Sequence, residues 1–109
     1  MVEVDCSFEL KNHITGEYLT QGGNSDRVTV ASVLANCLIS CSFKGKDAVT
    51  AYKVSMKISE PDFDGKFEDA ELEICERAFE ENPAGYTNLV RGQVLMAIDK
   101  AKKDANGND

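Results

Sequence analysis

Residues 28–41 read VTVASVLANCLISC, the most apolar stretch of the chain. Its apolar side chains recur every three or four residues, the period of one helix face: Val30, Val33, Leu34, Cys37, Leu38 and Cys41. Thr29 can cap the first turn, because its hydroxyl can accept from a free backbone N–H. Lys44, Gly45 and Lys46 end the pattern with residues that a helix C-terminus favours. We therefore predict a helix at the centre of the core.

Before this helix, residues 2–10 alternate between apolar and polar side chains. The apolar set is Val2, Val4, Cys6, Phe8 and Leu10, and a period of two is typical of a half-buried strand. Turn-type residues occupy 11–16, and 17–20 can return as a second short strand. The glycine-rich loop at 21–27 lacks the residue order of a phosphate-binding loop. The sequence thus predicts an N-terminal β-hairpin.

After the first helix, the sequence predicts three more. Residues 47–59 begin with Asp47 as a cap, but their period is ambiguous. The strand-like alternation comprises Tyr52, Val54, Met56 and Ile58; the helical pattern comprises Ala48, Val49, Tyr52 and Met56. Length and the cap favour a helix.

The third helix covers 67–81. Its apolar face consists of Phe67, Ala70, Ile74, Cys75 and Ala78, broadened by Leu72 and Phe79, with Glu71 intruding on that side. The fourth helix runs from a Thr87 cap to Lys103. Its core-facing residues are Val90, Val94, Ala97, Ile98 and Ala101.

A chain of 109 residues is long enough for one modest core and too short for two. We predict a single α+β domain over 1–103, with a short N-terminal β-hairpin followed by a four-helix body. Residues 104–109 are expected to be a disordered tail.

The negative charge is concentrated in residues 60–81. That segment holds ten carboxylates against Lys66 and Arg77, a local charge of −8, whereas the whole chain carries −7. On the third helix, Asp69, Glu73, Glu76 and Glu80 project together, opposite the apolar face; we call them the α3 stripe.

The α3 stripe has two possible interpretations. Charged helix faces are often only solvated surface. In this helix, however, like charges at i+3 and i+4 disfavour the helix by about 0.2–0.5 kcal/mol per pair, and Arg77 is expected to offset this by reaching Glu73 and Glu81. A face that lowers local stability is a candidate binding face, and its carboxylates would suit a protein with a basic surface.

A second candidate surface lies on the fourth helix. Leu89, Gly92 and Met96 project together, away from the predicted core face. The alternatives are a helix buried on two sides and a contact with a partner or with a second copy in a homo-oligomer.

Enzymatic and metal-binding patterns are nearly absent, so we expect no catalytic residue, cofactor or metal. His13 is the only histidine and stands among turn residues. Cys37 and Cys41 form the only close cysteine pair, so reduced core thiols are favoured over a zinc site for these residues and Cys75. The fragment from Asp62 to Gly65 only partly matches a calcium loop.

Several segments resemble small uncharacterised proteins of tailed bacteriophages and prophages. They are FELKN at 8–12 with Gly16 and Glu17, VTVASVLANCL at 28–38, AYKVSMKI at 51–58, AELEI at 70–74 and VRGQVL at 90–95, of which Gly92-Gln93 is the most distinctive. The resemblance implies a phage origin and a largely helical body behind a short hairpin. It implies no activity and no catalytic residues, and Cys37, Cys41 and Cys75 are not part of it.

These observations lead to two expectations of function. The first is a non-enzymatic phage-type protein of the bacterial cytoplasm that binds and modulates a host protein through the α3 stripe. The host protein could belong to a nucleic-acid-binding machine, with carboxylates standing in for phosphates, as in a DNA mimic or an anti-defence inhibitor. The alternative is an oligomeric, chaperone-like assembly component that uses Leu89, Gly92 and Met96. Direct binding of nucleic acid or membrane is disfavoured, because the lysines form no large basic patch.

Overall fold

The structure, a computed structural model, describes residues 1–20, 27–81 and 84–105. Its elements in chain order are β1 (Val2–Glu3), α1 (Val30–Ser40), α2 (Lys46–Ile58), β2 (Lys66–Phe67), α3 (Asp69–Glu81) and α4 (Asn88–Ala105). The predicted α+β class with a four-helix body is confirmed.

Helix α1 lies at the centre of the molecule and packs against the other three helices. Its N-terminus is fixed by a reciprocal capping box: the Ser32 N–H donates to Thr29 Oγ1 (3.1 Å), and the Thr29 N–H donates to Ser32 Oγ (2.9 Å). Val33 and Leu34 are fully buried. The predicted core helix is confirmed, although it ends at Ser40, before the basic segment at 44–46.

The ambiguous segment is helix α2, but its expected cap is wrong. Gly45 takes the N-cap position, and the Asp47 carboxylate instead accepts from Arg77 Nη2 at 3.2 Å. The buried residues are Ala51, Val54, Ser55 and Ile58. Tyr52 and Met56, which fit both patterns in the sequence, are exposed.

The predicted hairpin is present as an antiparallel reversal of the chain over residues 10–19. Lys11 and Tyr18 form an antiparallel bridge, and the Leu19 N–H donates to the Leu10 carbonyl (2.9 Å). The regular strand is much shorter than residues 2–10, because the chain turns at Cys6. There the Cys6 N–H donates to the Val4 carbonyl at 2.8 Å.

Strand β1 pairs with β2 in the antiparallel register Val2 with Phe67 and Glu3 with Lys66. This pairing is not predicted by the sequence patterns. The expected alternation holds for Val2, Val4, Cys6 and Leu10, which are buried, and fails for Phe8, which is 44% exposed. After the turn at Cys6, the chain is no longer a strand, so the alternation of apolar and polar residues no longer determines which side chains are buried.

Helices α3 and α4 differ from prediction mainly at their ends. Because Phe67 belongs to β2, α3 begins at Asp69. Ala70 is exposed, which corrects its placement on the apolar face; it projects about 100° from Asp69, beside the buried side of the helix. Helix α4 continues to Ala105, so residues 104–105 are not a disordered tail.

Two expectations fall wholly or largely on residues outside the described ranges: the rest of the tail, 106–109, and residues 21–26 of the glycine-rich loop. In the described ranges, one cluster of buried side chains extends over all four helices and both strands. Its largest fully buried members are Phe67, Phe79, Leu10, Leu34 and Ile98. None of the helices described is both long and apolar enough to cross a membrane.

Candidate functional site

Helix α3 is positioned by Glu71, the carboxylate that interrupts its apolar side in the sequence. Glu71 Oε1 accepts the Glu68 backbone N–H (2.9 Å), half of a capping box, and also accepts from Lys57 Nζ on α2 (2.8 Å). Burial alone would raise the pKa of Glu71, but the bonds from Lys57 and Glu68 and the Lys57 charge lower it overall. Glu71 therefore fixes α3 against α2 and does not belong to the outer face.

The buried face of α3 is formed by Leu72, Ile74, Cys75, Ala78 and Phe79. With that side turned inward, Asp69, Glu73 and Glu80 are exposed on the opposite side. None of these three carboxylates forms an ion pair with another described residue. At 1.5 Å per residue, Asp69 and Glu80 lie about 16 Å apart along the helix axis.

The fourth member of the α3 stripe differs from the others. Glu76 is half-buried, and its Oε2 accepts from Lys102 Nζ of α4 at 2.6 Å. The stripe shares one face, as its spacing indicates, but only three of its carboxylates are available to a partner without breaking an internal ion pair.

Arg77 does not have the role expected of it. It donates to Asp47 on α2 and lies 5.1 Å from the Phe43 ring centroid, so it does not pair with Glu73 or Glu81. Among the described residues, the only ion pair that relieves like-charge repulsion within the stripe is therefore that of Glu76 with Lys102. Binding of a cationic partner would remove the remaining repulsion.

The second candidate surface is divided between two clefts. Leu89 is half-buried and lines a cleft with Val28, Asn36 and Tyr86. Met96 is 73% exposed and lines a different cleft, beside the N-terminal segment. Gly92, between them on α4, is exposed, with no atom near the position of an added Cβ.

Gln93 is a structural residue that the patterns did not identify, apart from its place in the distinctive Gly92-Gln93 pair. Its Oε1 accepts the Lys11 N–H (3.0 Å), and its Nε2 donates to the Lys11 carbonyl (2.8 Å) and to the Leu89 carbonyl (2.7 Å). The side chain thus fixes the N-terminal segment to α4.

The four cysteines are free thiols. Burial raises the pKa of Cys6 and of Cys75 to about 12 and that of Cys37 to about 11, and it also raises the pKa of Cys41. Thiols with such pKa values are weak nucleophiles near neutral pH. In the described residues, no group of three or more His, Cys, Asp or Glu side chains is placed to hold a metal ion.

The histidine and the fragment that partly matches a calcium loop have structural surroundings. His13 is exposed in the turn of the N-terminal reversal. Asp64 Oδ1 accepts the Lys66 N–H at 3.0 Å, and the Gly65 carbonyl accepts the Val4 N–H at 2.9 Å, so this segment joins β1 to β2.

Searches against protein-family models, curated proteins and solved structures find no match to this chain.

Proposed function

We propose that this chain is a non-enzymatic binding protein that docks a basic protein surface on the α3 stripe. The observation that carries the proposal is the row of three exposed carboxylates, Asp69, Glu73 and Glu80, without an ion-pair partner among the described residues. Glu76 lies in the same row but is already paired with Lys102.

The row has the features of an electrostatic docking site. Exposed charges of one sign raise the local concentration of an oppositely charged partner and speed its encounter. The axial spacing of Asp69 and Glu73 is about 6 Å, so the row is a sparser line of charge than a nucleic-acid strand, which has one phosphate per ~3.4 Å. A basic groove that accepts phosphates would make fewer contacts with this row than with a nucleic-acid strand. The affinity would depend on salt concentration.

Together with the resemblance to phage proteins, the row of exposed carboxylates favours a particular kind of partner. That partner is a host protein of the bacterial cytoplasm that handles nucleic acid. Binding would compete with nucleic acid for the same basic surface and so modulate the host protein.

The test is affinity capture from a bacterial lysate with three forms of the chain. They are the wild type, the α3-stripe variant (Asp69→Lys, Glu73→Lys, Glu80→Lys) and a matched control (Glu17→Lys, Glu60→Lys, Asp99→Lys). The control changes the net charge equally at exposed residues elsewhere that form no ion pair in the described part of the chain.

We expect the wild type and the control to retain a partner that the stripe variant loses and that double-stranded DNA displaces. Equal retention by the stripe variant would contradict it.

A further inference from the structure

Helix α2 presents an apolar line to solvent. Val49, Tyr52 and Met56 are each more than half exposed (54%, 61% and 54%) and follow one another at i, i+3 and i+7. Such a line runs about 10 Å along one side of a helix. Contiguous exposed apolar surface on a soluble domain is characteristic of an interaction site.

The charges around this line are positive. Lys46 and Lys53 are exposed on the same side of α2. The nearby carboxylate of Asp47 is neutralised by Arg77, and Lys57 is paired with Glu71. The outer surface of α2, which we call the α2 face (Lys46, Val49, Tyr52, Lys53 and Met56), is therefore apolar with a cationic border.

A cleft with apolar walls and a border of opposite charge lies between the N-terminal segment and α4. Its volume is about 1060 Å³, and its walls include the exposed side chains of Phe8 (44%) and Met96 (73%) with the half-buried Phe63. Met96 gives it an adaptable apolar wall, since an unbranched thioether side chain can fit partners of different shape.

The rim of this cleft is acidic. Glu3, Asp5, Asp64 and Asp104 line it, all exposed, against the cations of Lys100 and the N-terminal ammonium group of Met1. None of these five side chains forms an ion pair with another residue in the described ranges. The cleft thus combines apolar walls with a net negative border.

The cleft is also long enough to hold the α2 face. The α2 face extends from Lys46 to Met56, about 15 Å, and the cleft follows α4 from Gln93 to Ala105, about 18 Å. Helix α2 packs against α1 and α3, whereas α4 packs against β1 and α1, so the two surfaces belong to different parts of the molecule.

We propose that the α2 face of one molecule docks in the cleft of a second copy. Tyr52 and Met56 would enter beside Phe8 and Met96, while Lys46 and Lys53 would meet the carboxylates of the rim. The contact joins two different surfaces, so each molecule keeps one unfilled partner surface, and association continues as a chain or closes into a ring. This proposal does not depend on the α3 stripe.

The test is charge exchange between two variants, followed by sedimentation over a concentration series at low ionic strength. One variant, Lys46→Glu with Lys53→Glu, reverses the α2 face. The other, Glu3→Lys with Asp104→Lys, reverses the cleft rim. The wild type is expected to increase in mass with concentration, and each variant alone to need at least about tenfold more protein for the same mass.

Mixing the two variants gives the decisive result. Each mixed contact again joins opposite charges, so an equimolar mixture should regain association that neither variant shows alone. This readout separates loss of the contact from loss of folding. Met96→Glu, a change at an exposed position, is expected to weaken association of the wild type as well.

Three results would overturn the proposal. The first is a wild type that stays monomeric up to about 1 mM, where even a contact with a dissociation constant of about 1 mM would be substantially formed. The others are variants that associate as well as the wild type, and a mixture that regains nothing. The α3-stripe variant is the matched control and should associate normally. If the α2-face variant and the α3-stripe variant both lost association while the rim variant kept it, the receptor of α2 would be the stripe and not the cleft, and the proposal would be overturned.

Discussion

At the scale of one residue, Gly65 just before β2 lies against Val4 just after β1. Its φ of +80° is in the left-handed region, and a Cβ there would overlap the backbone carbonyl oxygen of Val4. The Gly65 carbonyl also accepts the Val4 N–H. Conformation and close backbone approach therefore both require glycine.

Gly65→Ala is expected to lower the free energy of unfolding by about 2 kcal/mol or more, because left-handed strain and a backbone clash add together. Urea denaturation measures the change. Gly16→Ala is the matched control: its φ is +79°, but no atom lies near the added Cβ, so it should cost only about 1 kcal/mol. Equal losses would show that the contact with Val4 does not matter.

Glu71→Gln is expected to lower stability at pH 7 by about 1–2 kcal/mol, since it weakens two charge-assisted hydrogen bonds. The lowered pKa of Glu71 gives the effect a sign with pH. Its stabilisation is present above the ordinary value of 4.5 and is lost as the pH falls through the lower folded value.

The difference between wild type and Glu71→Gln should therefore shrink below pH 4.5 in urea denaturation at several pH values. Glu73→Gln, at an exposed carboxylate on the same helix, is the control and should change little. A difference that stays constant into acid would refute the assigned role of the Glu71 charge.

At the scale of the element, the features that depend on neighbouring residues could be predicted, and those that depend on distant residues could not. The sequence was sufficient to predict α1, because its apolar period and its Thr29 cap lie within a few residues of each other. It could not decide which side of α2 is buried, since both sides carry apolar residues and only packing against α1 and α3 selects Val54 and Ile58. The pairing of Val2 with Phe67 joins distant segments, which no local pattern reveals.

The candidate site follows the same division. Helical projection was sufficient to place the α3 stripe on one face, because that depends only on spacing. The pairing of Glu76 with Lys102, and of Arg77 with Asp47, depends on how α3 meets α4 and α2. Local spacing therefore identified the face, and tertiary packing decided which charges remain available.

Gly92→Ala is expected to stabilise α4 by about 1 kcal/mol, since alanine has the higher helix propensity and the added methyl meets no neighbouring atom. Thermal unfolding checks the direction. Gly45→Ala, at φ +60°, should shift the midpoint the opposite way. A destabilised Gly92→Ala would contradict the exposed position of this helix surface.

Gln93→Ala removes the side chain that bonds Lys11 and Leu89, and we expect a loss of about 1–2 kcal/mol. Amide hydrogen exchange should show faster exchange at Lys11 than in the wild type. The protection of Val33 within α1 should change only as far as global stability does. Unchanged exchange at Lys11 would mean that Gln93 does not hold the N-terminal segment.

At the scale of the whole molecule, charge is distributed unevenly over the surface. Three exposed carboxylates follow the outer side of α3, lysines border the α2 face, and a second group of carboxylates lines the cleft beside α4. The proposals therefore give the molecule two kinds of contact: a basic protein on the α3 stripe, and a further copy between α2 and the cleft. Reversing one set of charges at a time separates them.

The central claim is that the α3 stripe holds the partner, and the most direct measurement is the dissociation constant of the captured partner at low ionic strength. Reversal of Asp69, Glu73 and Glu80 removes three attractions and adds three repulsions, so we expect affinity to fall at least about tenfold. The control reversed at Glu17, Glu60 and Asp99 should bind like the wild type. Equal affinity of the stripe variant and this control would contradict the account.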